Sequence, residues 1–369
     1  MKIAMFGHKR IPSREGGVEV VVEQLAVRMA AQGHDVTCYN RGGHHVSGAE
    51  FDTSDDCPSV RLRTVPTLDK KGLAAVTSSF FAALCAAFGR YDAVHIHAEG
   101  PAFMSFLPKL LGKRVIVTVH GLNWQCDKWQ KSFAAKYIYM GEKMAVRFAD
   151  EIIVLSKSTQ QYFMDAYGRE TKYIPNGVNR PEIVEAAEIT EKFGLTKGGY
   201  FLSLGRLVPE KGIHYLIEAF RGLRTDKKLV IAGGSSDTDE YVAQLKAMAA
   251  EDDRILFTGF VQGQLLEELY SNCYVFVLPS NVEGMPLSLL EAMSYGNCCV
   301  VSDIPQCTEP AENKVLTFPK GDVKVLRETL QHLCDSPEET TKYKTGVRDF
   351  ICEKYNWDEV VQQTLELYQ

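Results

Sequence analysis

Short apolar runs alternate with amphipathic stretches along the whole chain. The apolar runs Lys2–Phe6 and 35–40 flank the segment 18–32, whose apolar residues recur at helical spacing and which ends at Gly33. Further strand-like runs lie at 60–66, 93–98, 114–121 and 151–156, with helical segments between them. Strands separated by helices predict parallel sheets with right-handed crossovers, so we expect a doubly wound α/β fold.

A second series of strand-like runs predicts a second domain. Pro, Asn and Gly follow one another within 174–179, and strand-like runs resume at 200–207, 228–234, 254–260, 274–280 and 298–303. We therefore expect two Rossmann-like domains, residues 1–175 and 176–355. Residues 356–369 predict an amphipathic helix that packs back on the first domain. Such sheets bind ligands beyond the carboxyl ends of their strands, so a cleft between the domains is the expected site.

Composition is typical of a globular protein, with 45% hydrophobic and 24% charged residues. The uncharged run 72–89 approaches the length of a membrane span, but its Thr, Ser and Ala residues favour a buried crossover helix. Ten cysteines without a Cys-x-x-Cys pair predict free thiols in a reducing cytoplasm and no zinc framework. The sequence therefore predicts a cytoplasmic protein.

Charge is divided unevenly along the chain. The first 175 residues carry 22 Lys and Arg against 17 Asp and Glu, and the remainder carry 19 against 30. A cationic first half, with Phe80 and Phe81 on an apolar helix, favours an anionic acceptor or peripheral contact with a membrane face. The net charge of −6 argues against nucleic acid. Uneven surface charge without a function is the alternative.

Candidate chemistry is densest in the segment NVEGMPLSLLEAMSYGN, residues 281–297. A strand ending at Ser280, a turn at Gly284 and Pro286 predict a loop followed by a helix N-terminus. The first amide groups of that helix lack internal partners and favour an anion. Glu283 is then placed to meet a polyol, and Glu291 to bind a ribose. A helix start with one acidic loop residue and one solvated glutamate is the alternative.

Two cations follow the first strand of the second domain. Arg206 comes directly after Gly205, and Lys211 follows five residues later, before a predicted helix. Guanidinium and ammonium groups at a strand terminus neutralise a diphosphate and stabilise it as a leaving group. Two solvated surface cations are the alternative.

The first loop, GHKRIPSREGGVE, ends in Gly16 and Gly17, which allow backbone amide groups to approach a phosphate. The spacing is not that of a dinucleotide-binding loop, so a nicotinamide cofactor is disfavoured. A plain tight turn is the alternative.

Histidines mark the strand ends of the first domain. His120 ends a strand and is a candidate hydrogen-bond donor to a sugar. His95 and His97 share one face of their strand, but no third ligand suggests a metal site, so they are interpreted as packing or cleft-lining residues. The segment 237–239 contains two aspartates, and we interpret it as helix N-capping rather than metal binding.

Four motifs in this order resemble the family 4 retaining glycosyltransferases of the GT-B fold. They are GGVE-x3-E-x2-A near the start, His120-Gly121, Gly205-Arg206 with Lys211-Gly212, and Glu283-x7-Glu291. The resemblance covers nearly the whole chain. It implies an acceptor-binding first domain and a second domain that binds a nucleotide-diphosphate sugar. It also implies that no metal or other cofactor is needed, because cations and helix N-termini replace the metal.

The resemblance implies a role for each matching residue. The predicted catalytic residues are His120, Arg206, Lys211 and Glu283. The predicted donor-binding residues are Gly16, Gly17, Arg206, Lys211, Phe260, Val261, Glu283, Gly284, Met285, Pro286, Leu287 and Glu291. The predicted acceptor-binding residues are His97, Asn123 and Trp124.

The segments 8–19 and 120–129 look like those of bacterial members that assemble surface polysaccharides, so a saccharide or lipid-linked acceptor is expected. Asn123 and Cys126 depart from that subgroup, where Asp and Arg are expected. The implied reaction is hexosyl transfer with retention. A sugar-nucleotide epimerase of the same fold and an inactive sugar-binding paralogue are the alternatives, and a dehydrogenase is disfavoured.

Overall fold

The chain folds into two compact α/β units. A computed structural model describes residues 1–43, 57–70, 72–122 and 133–369. The first unit comprises Met1–Gly177 with Trp357–Gln369, and the second comprises Val178–Asn356. Each unit is a parallel sheet flanked by helices, as the apolar alternation predicts.

The strands in chain order are β1 Lys2–Phe6, β2 Asp35–Arg41, β3 Arg61–Val65, β4 Ala93–His97, β5 Arg114–Val119, β6 Glu151–Val154, β7 Lys172–Tyr173, β8 Tyr200–Leu204, β9 Lys228–Ala232, β10 Ile255–Gly259, β11 Val275–Leu278, β12 Cys299–Ser302 and β13 Leu316–Phe318. The helices are α1 Gly17–Ala31, α2 Leu73–Phe88, α3 Glu99–Ala102, α4 Phe106–Leu110, α5 Phe133–Phe148, α6 Lys157–Tyr167, α7 Glu188–Phe193, α8 Ile213–Arg221, α9 Asp239–Ala249, α10 Gly263–Asn272, α11 Leu287–Ser294, α12 Pro305–Ala311, α13 Val323–Asp335, α14 Pro337–Lys344, α15 Val347–Lys354 and α16 Trp357–Glu366. Short 3₁₀ turns lie at Phe103–Ser105 and Pro209–Lys211.

The two sheets share one topology. Within the described residues, the first sheet has the strand order β3-β2-β1-β4-β5-β6-β7 and the second β10-β9-β8-β11-β12-β13. Within both sheets, the neighbouring strands named here run parallel to each other. In each sheet the order reverses once, between β1 and β4 in the first and between β8 and β11 in the second. Doubly wound sheets bind ligands beyond the carboxyl ends of the strands at such a reversal, so these two points locate the candidate sites.

The central strands form where the sequence is almost continuously apolar, because a parallel sheet covered on both faces leaves no solvated side there. β12, with the sequence CVVS, is buried along its whole length. The helices bury only one face: α8 buries Ile213, Leu216, Ile217 and Phe220, which recur at helical spacing. Cysteines in the described part of the chain are free thiols.

The uncharged run forms the crossover helix α2, as predicted. Its small residues face the core, with Ser78, Ser79 and Ala82 buried. Phe81 and Phe88 on the same helix remain exposed. Among the described helices, none is both long enough and apolar enough to cross a bilayer.

The carboxyl-terminal helix α16 belongs to the first unit and packs on α1. Trp357 is buried against Gly177, and the Arg28 guanidinium lies 5.9 Å from the centre of the Trp357 ring. Beyond the helix, the Tyr368 hydroxyl lies 2.7 Å from His95 Nδ1 on β4. The last residues of the chain therefore belong to the first unit, although the second unit precedes them in the sequence.

Two details differ from the sequence analysis. β7 and β13 are not predicted, because two or three residues are too few to show a period. The capping interpretation of the segment 237–239 is wrong in its detail. Helix α9 does begin there, but Thr238 makes no side-chain cap. Its hydroxyl oxygen accepts from the Ser236 amide at 3.2 Å, and the hydroxyl donates to the Leu207 carbonyl at 2.7 Å.

Candidate active site

The loop after β1 crosses the end of β4 closely. Gly7 has φ +111°, and a Cβ at this position would lie 2.1 Å from the His97 carbonyl oxygen. Only glycine fits a position that combines a left-handed backbone with so close an approach. The loop is thereby held at the strand reversal of the first sheet.

Gly16 and Gly17 lie at the start of α1, as predicted, with Gly16 at the N-cap in an extended conformation. Two acidic side chains of α1 accept hydrogen bonds from backbone amide groups of this loop. The Lys9 amide donates to Glu19 Oε1 at 2.8 Å, and the Ser13 amide donates to Glu23 Oε2 at 3.4 Å. Burial raises the pKa of the Glu23 carboxyl. The phosphate contact of the two glycines stays a prediction, and Glu19 and Glu23 are ordering residues of the loop that sequence reasoning missed.

Three histidines stack at the ends of β4 and β5. The His95 and His97 rings lie 4.1 Å apart, and the His97 and His120 rings 5.3 Å apart, both pairs inclined by 29°. His97 Nδ1 lies 3.1 Å from His120 Nε2. The interpretation of His95 and His97 as packing residues agrees with their complete burial. Because β4 and β5 are neighbouring strands, side chains on the same face of the sheet, here those of His97 and His120, lie against each other.

Burial keeps these imidazoles neutral. Desolvation lowers the pKa of His95 to about 3, with a smaller contribution from His120, and lowers the pKa of His120 to about 4. The pKa of His97 is also far below its ordinary value, first because of burial and then because of the neighbouring histidines. All three side chains are therefore uncharged near neutral pH, where they act as hydrogen-bonding groups.

The second sheet brings Lys211 and Glu283 together at the reversal between β8 and β11. Lys211 Nζ lies 2.6 Å from Glu283 Oε1, with side-chain exposures of 17% and 8%. The Ser280 hydroxyl donates to the same oxygen at 2.6 Å, and the Ser302 hydroxyl donates to the Ser280 carbonyl at 2.5 Å. Sequence reasoning assigned the lysine and the glutamate to one donor site but did not predict their ion pair, and it missed both serines. A serine at the carboxyl end of a central strand was the available signal.

Backbone contacts fix the two loops of this ion pair. The Asn281 amide donates to the Glu210 carbonyl at 2.7 Å, which joins the loop after β11 to the 3₁₀ turn before α8. Gly212 has φ +65°, and a Cβ there would lie 2.0 Å from the Pro279 carbonyl oxygen. The close approach of the two loops therefore depends on glycine, which has no side chain, at position 212.

Gly212→Ala is expected to destabilise the second unit by about 3 kcal/mol, since it combines left-handed strain with a backbone clash. Gly198→Ala is the matched control. Gly198 has φ +70° with nothing within 4 Å of the added Cβ, so only the strain of about 1 kcal/mol remains. Urea unfolding of both variants measures the difference, and equal losses of stability would contradict the clash.

Arg206 follows β8 and is exposed. Within the described part of the chain its guanidinium has no hydrogen bond or ion pair. In the segment after β8, Lys211 is therefore engaged with a carboxylate, whereas Arg206 is open to an added anion.

Helix α11 begins after Pro286, as predicted, and carries Glu291 in its second turn. The hydroxyl of the buried Tyr270 donates to Glu291 Oε2 at 3.2 Å, and the Tyr270 ring stacks on Tyr295 at 5.2 Å. This tyrosine holds the carboxylate in place and was missed by sequence reasoning, because β11 separates α10 from α11 in the chain and the pattern does not show that the two helices meet. Gly284, Met285, Pro286 and Leu287 form the turn into α11.

Other predicted residues lie apart from the ion pair or outside the described residues. Phe260 and Val261 follow β10, an edge strand that β9 separates from β8. Asn123 and Trp124 fall outside the described residues. Where residues are described, no group of three His, Cys, Asp or Glu side chains is arranged to hold a metal ion.

Two family profiles match consecutive parts of the chain. The profile described as Glycosyltransferase Family 4 matches residues 15–180, and the profile described as Glycosyl transferases group 1 matches residues 185–360. The chain belongs to the family 4 glycosyltransferases. The enzyme is therefore a glycosyltransferase with the GT-B architecture that the four motifs predict.

Similar proteins support this assignment over the full length. The glycosyltransferase is 26% identical to an uncharacterised glycosyltransferase of Methanocaldococcus jannaschii, over 100% of its own chain and 98% of the relative. It is 24% identical to O-antigen chain mannosyltransferase B of Escherichia coli, over 73% of each. The fold matches Anabaena HepE in complex with UDP-glucose, with a TM-score of 0.81, 18% identity and coverage of 99% and 98%. The epimerase alternative is not favoured.

Proposed function

We propose that this glycosyltransferase moves a hexosyl group from a nucleotide-diphosphate sugar to a saccharide or lipid-linked acceptor in cell-surface polysaccharide synthesis. We propose further that it retains the anomeric configuration and needs no metal. The similarity to an O-antigen mannosyltransferase supports the polysaccharide acceptor, and the similarity in fold to a protein that binds UDP-glucose supports the donor class.

The observation that carries the proposal is the Lys211–Glu283 pair beside the open Arg206. A diphosphate needs cations, and a hexose needs a hydrogen-bond acceptor for its hydroxyl groups. Lys211 exchanges part of its contact with Glu283 for a phosphate oxygen when the donor binds, and Arg206 takes a second phosphate oxygen. Glu283 then accepts hydroxyl groups of the sugar, while Glu291, held by Tyr270, accepts those of the ribose.

The proposed transfer takes place on one face of the sugar. The bond between the anomeric carbon and the phosphate oxygen breaks, and the acceptor oxygen forms a bond to that carbon from the same side. The acceptor proton passes to the departing diphosphate oxygen, so the charges balance without a covalent intermediate. Arg206 and Lys211 stabilise the charge on the leaving group. His120 donates to the donor sugar, and the turn Gly284–Leu287 with the start of α11 offers amide groups to the same ligand.

The remaining predicted roles are part of the same proposal. Gly16 and Gly17 meet the diphosphate through their amide groups, and Phe260 and Val261 flank the nucleotide base. Asn123 and Trp124 are proposed for the acceptor.

Nucleotide-sugar screening tests the function. UDP-, GDP- and dTDP-hexoses are tested for thermal stabilisation of the protein, and those that bind are incubated with and without a lipid-linked saccharide acceptor. We expect transfer only with the acceptor, activity that persists in EDTA, and a product whose anomeric proton coupling matches the donor. An epimerised nucleotide sugar formed without the acceptor, or an inverted product, would overturn the proposal.

We also propose that the enzyme works at the cytoplasmic membrane face through the first unit. Helices α2 and α4 pack against each other and expose large apolar side chains, including Phe88 at 78% and Leu110 at 71%. Arg90, directly after α2, is exposed beside them. Apolar side chains with a neighbouring cation favour an anionic lipid surface.

Flotation with vesicles of phosphatidylglycerol and phosphatidylcholine tests this contact. The unchanged protein is expected to float, and Phe88→Ser with Leu110→Ser to lower the membrane partition coefficient about 100-fold, because roughly 3 kcal/mol of apolar contact is lost. Ile183→Ser in the second unit, at 44% exposure, is the control and should float normally. A wild-type protein that stays at the bottom of the gradient refutes the contact.

A further inference from the structure

The histidine stack at the end of the first sheet has an internal order that the proposed reaction does not explain. His95 is engaged at both ring nitrogens: Nδ1 lies 2.7 Å from the Tyr368 hydroxyl, and Nε2 lies 2.7 Å from the Thr118 hydroxyl. Since a neutral imidazole has one donor and one acceptor, these two hydroxyls satisfy it completely. His95 thus supports the stack through its ring face alone.

His97 is engaged at one nitrogen only. Nδ1 faces His120 Nε2 at 3.1 Å, whereas Nε2 is buried and has no hydrogen-bond partner among the described residues. The whole side chain is 0% exposed, so it offers no surface to an acceptor sugar. The effect of His97 on a ligand must therefore pass through His120.

The hydrogen bond between two neutral imidazoles has one donor and one acceptor. If His120 donated, the proton of His97 would sit on Nε2 as a buried N–H without an acceptor, at a cost of about 1–3 kcal/mol. If His97 donates from Nδ1, its Nε2 is an unprotonated acceptor instead. Buried donors without a partner are rarer in proteins than buried acceptors without one, so the second arrangement is favoured.

We propose that His97 is a positioning residue that donates from Nδ1 to His120 Nε2 and thereby fixes the proton of His120 on Nδ1. The donor of His120 then lies on the side of the ring away from His97. There it serves the sugar contact assigned to His120, so the catalytic consequence rests on the proposed function. His97 was predicted to bind the acceptor directly, and its burial instead favours this indirect role.

The proton position can be measured without any activity. Protein labelled with ¹⁵N-histidine reports through the ring-nitrogen shifts which nitrogen carries the proton, and the loss of signals in His120→Gln assigns those of His120. We expect the wild-type His120 proton on Nδ1, and a shift of the population toward Nε2 in His97→Phe, which keeps the ring but lacks the donor. A wild-type proton on Nε2 overturns the proposal.

Kinetics test the consequence. His97→Phe should lower kcat about 10- to 100-fold with an unchanged KM for the nucleotide sugar, because a single oriented donor is lost. His97→Asn, whose amide replaces the Nδ1 donor, should retain kcat within about threefold of wild type. Tyr368→Phe removes a partner of His95 only, and should leave both kcat and the His120 proton unchanged.

The outcomes separate the two proposals. A wild-type kcat in a folded His97→Phe variant, checked by thermal unfolding, overturns the positioning role. If no nucleotide sugar is turned over but the His120 proton sits on Nδ1, the proposed function fails while the assignment of the proton is supported.

Discussion

Glu283→Gln is expected to lower kcat for sugar transfer by about 10³-fold, while binding of the free nucleotide diphosphate persists. The amide keeps the shape of the side chain but removes the charge that is proposed to meet the sugar hydroxyls and that pairs with the Lys211 ammonium, 2.6 Å away. Lys211 then lacks a carboxylate and remains available to phosphate, so the nucleotide still binds. Steady-state transfer and calorimetric titration with the nucleotide diphosphate measure the two effects separately.

The matched control is Glu312→Gln in the same unit. Glu312 lies 2.6 Å from Lys354 Nζ, the same separation, but the glutamate is 55% exposed and remote from the strand reversal. Its loss should leave kcat within about twofold of wild type, since exposed pairs contribute little. Equal activity in Glu283→Gln and wild type would contradict the assignment of the sugar contact to Glu283.

Lys211→Met is expected to abolish transfer and to destabilise the second unit, whereas Lys211→Met with Glu283→Gln should recover stability without activity. The single change leaves the Glu283 carboxylate, only 8% exposed, without its cation, at a cost of roughly 2 kcal/mol. The double change removes both the Lys211 ammonium and the Glu283 carboxylate, so no unpaired charge is left buried. Thermal unfolding should therefore show a fall of about 5 °C for the single variant and a partial return for the double variant.

Lys354→Met controls for the loss of a lysine from an ion pair of the same length, and its unfolding temperature should change by no more than about 1 °C. An active double variant would contradict the assignment of Lys211 and Glu283 to the donor. A double variant as unstable as the single one would contradict their energetic coupling.

The sequence predicted the elements well, because periodicity is a local property. β1 was predicted with the observed bounds, and the second-unit strands other than β13 were predicted with ends one to three residues too long. The predicted loop and helix start around Pro286 also formed as expected. The interpretation of the segment 237–239 failed in its detail because the Thr238 hydroxyl oxygen accepts from the Ser236 amide, ahead of the helix, and not from an amide of the first turn.

Site pairings were harder to predict, since they depend on which strands become neighbours. Lys211 and Glu283 are 72 positions apart, and His95 and Tyr368 are 273 positions apart. A hydrophobic pattern shows that each strand exists but not beside which strand it lies. Ser280 and Tyr270 were missed for the same reason, because they acquire a role only through the carboxylates they contact.

The amino-acid sequence alone determined the α/β class, the positions of the polar residues at the ends of apolar runs, and the four motifs that indicate a glycosyltransferase. These follow from the local spacing of residues, which can be read from the sequence without knowing which strands lie beside each other. Tertiary structure decided that Lys211 is paired with Glu283, that His97 is buried beneath His120, and that Arg206 has no described partner. Crossover connections bring distant strand ends to one edge of a sheet, and only that juxtaposition turns isolated charges into interacting groups.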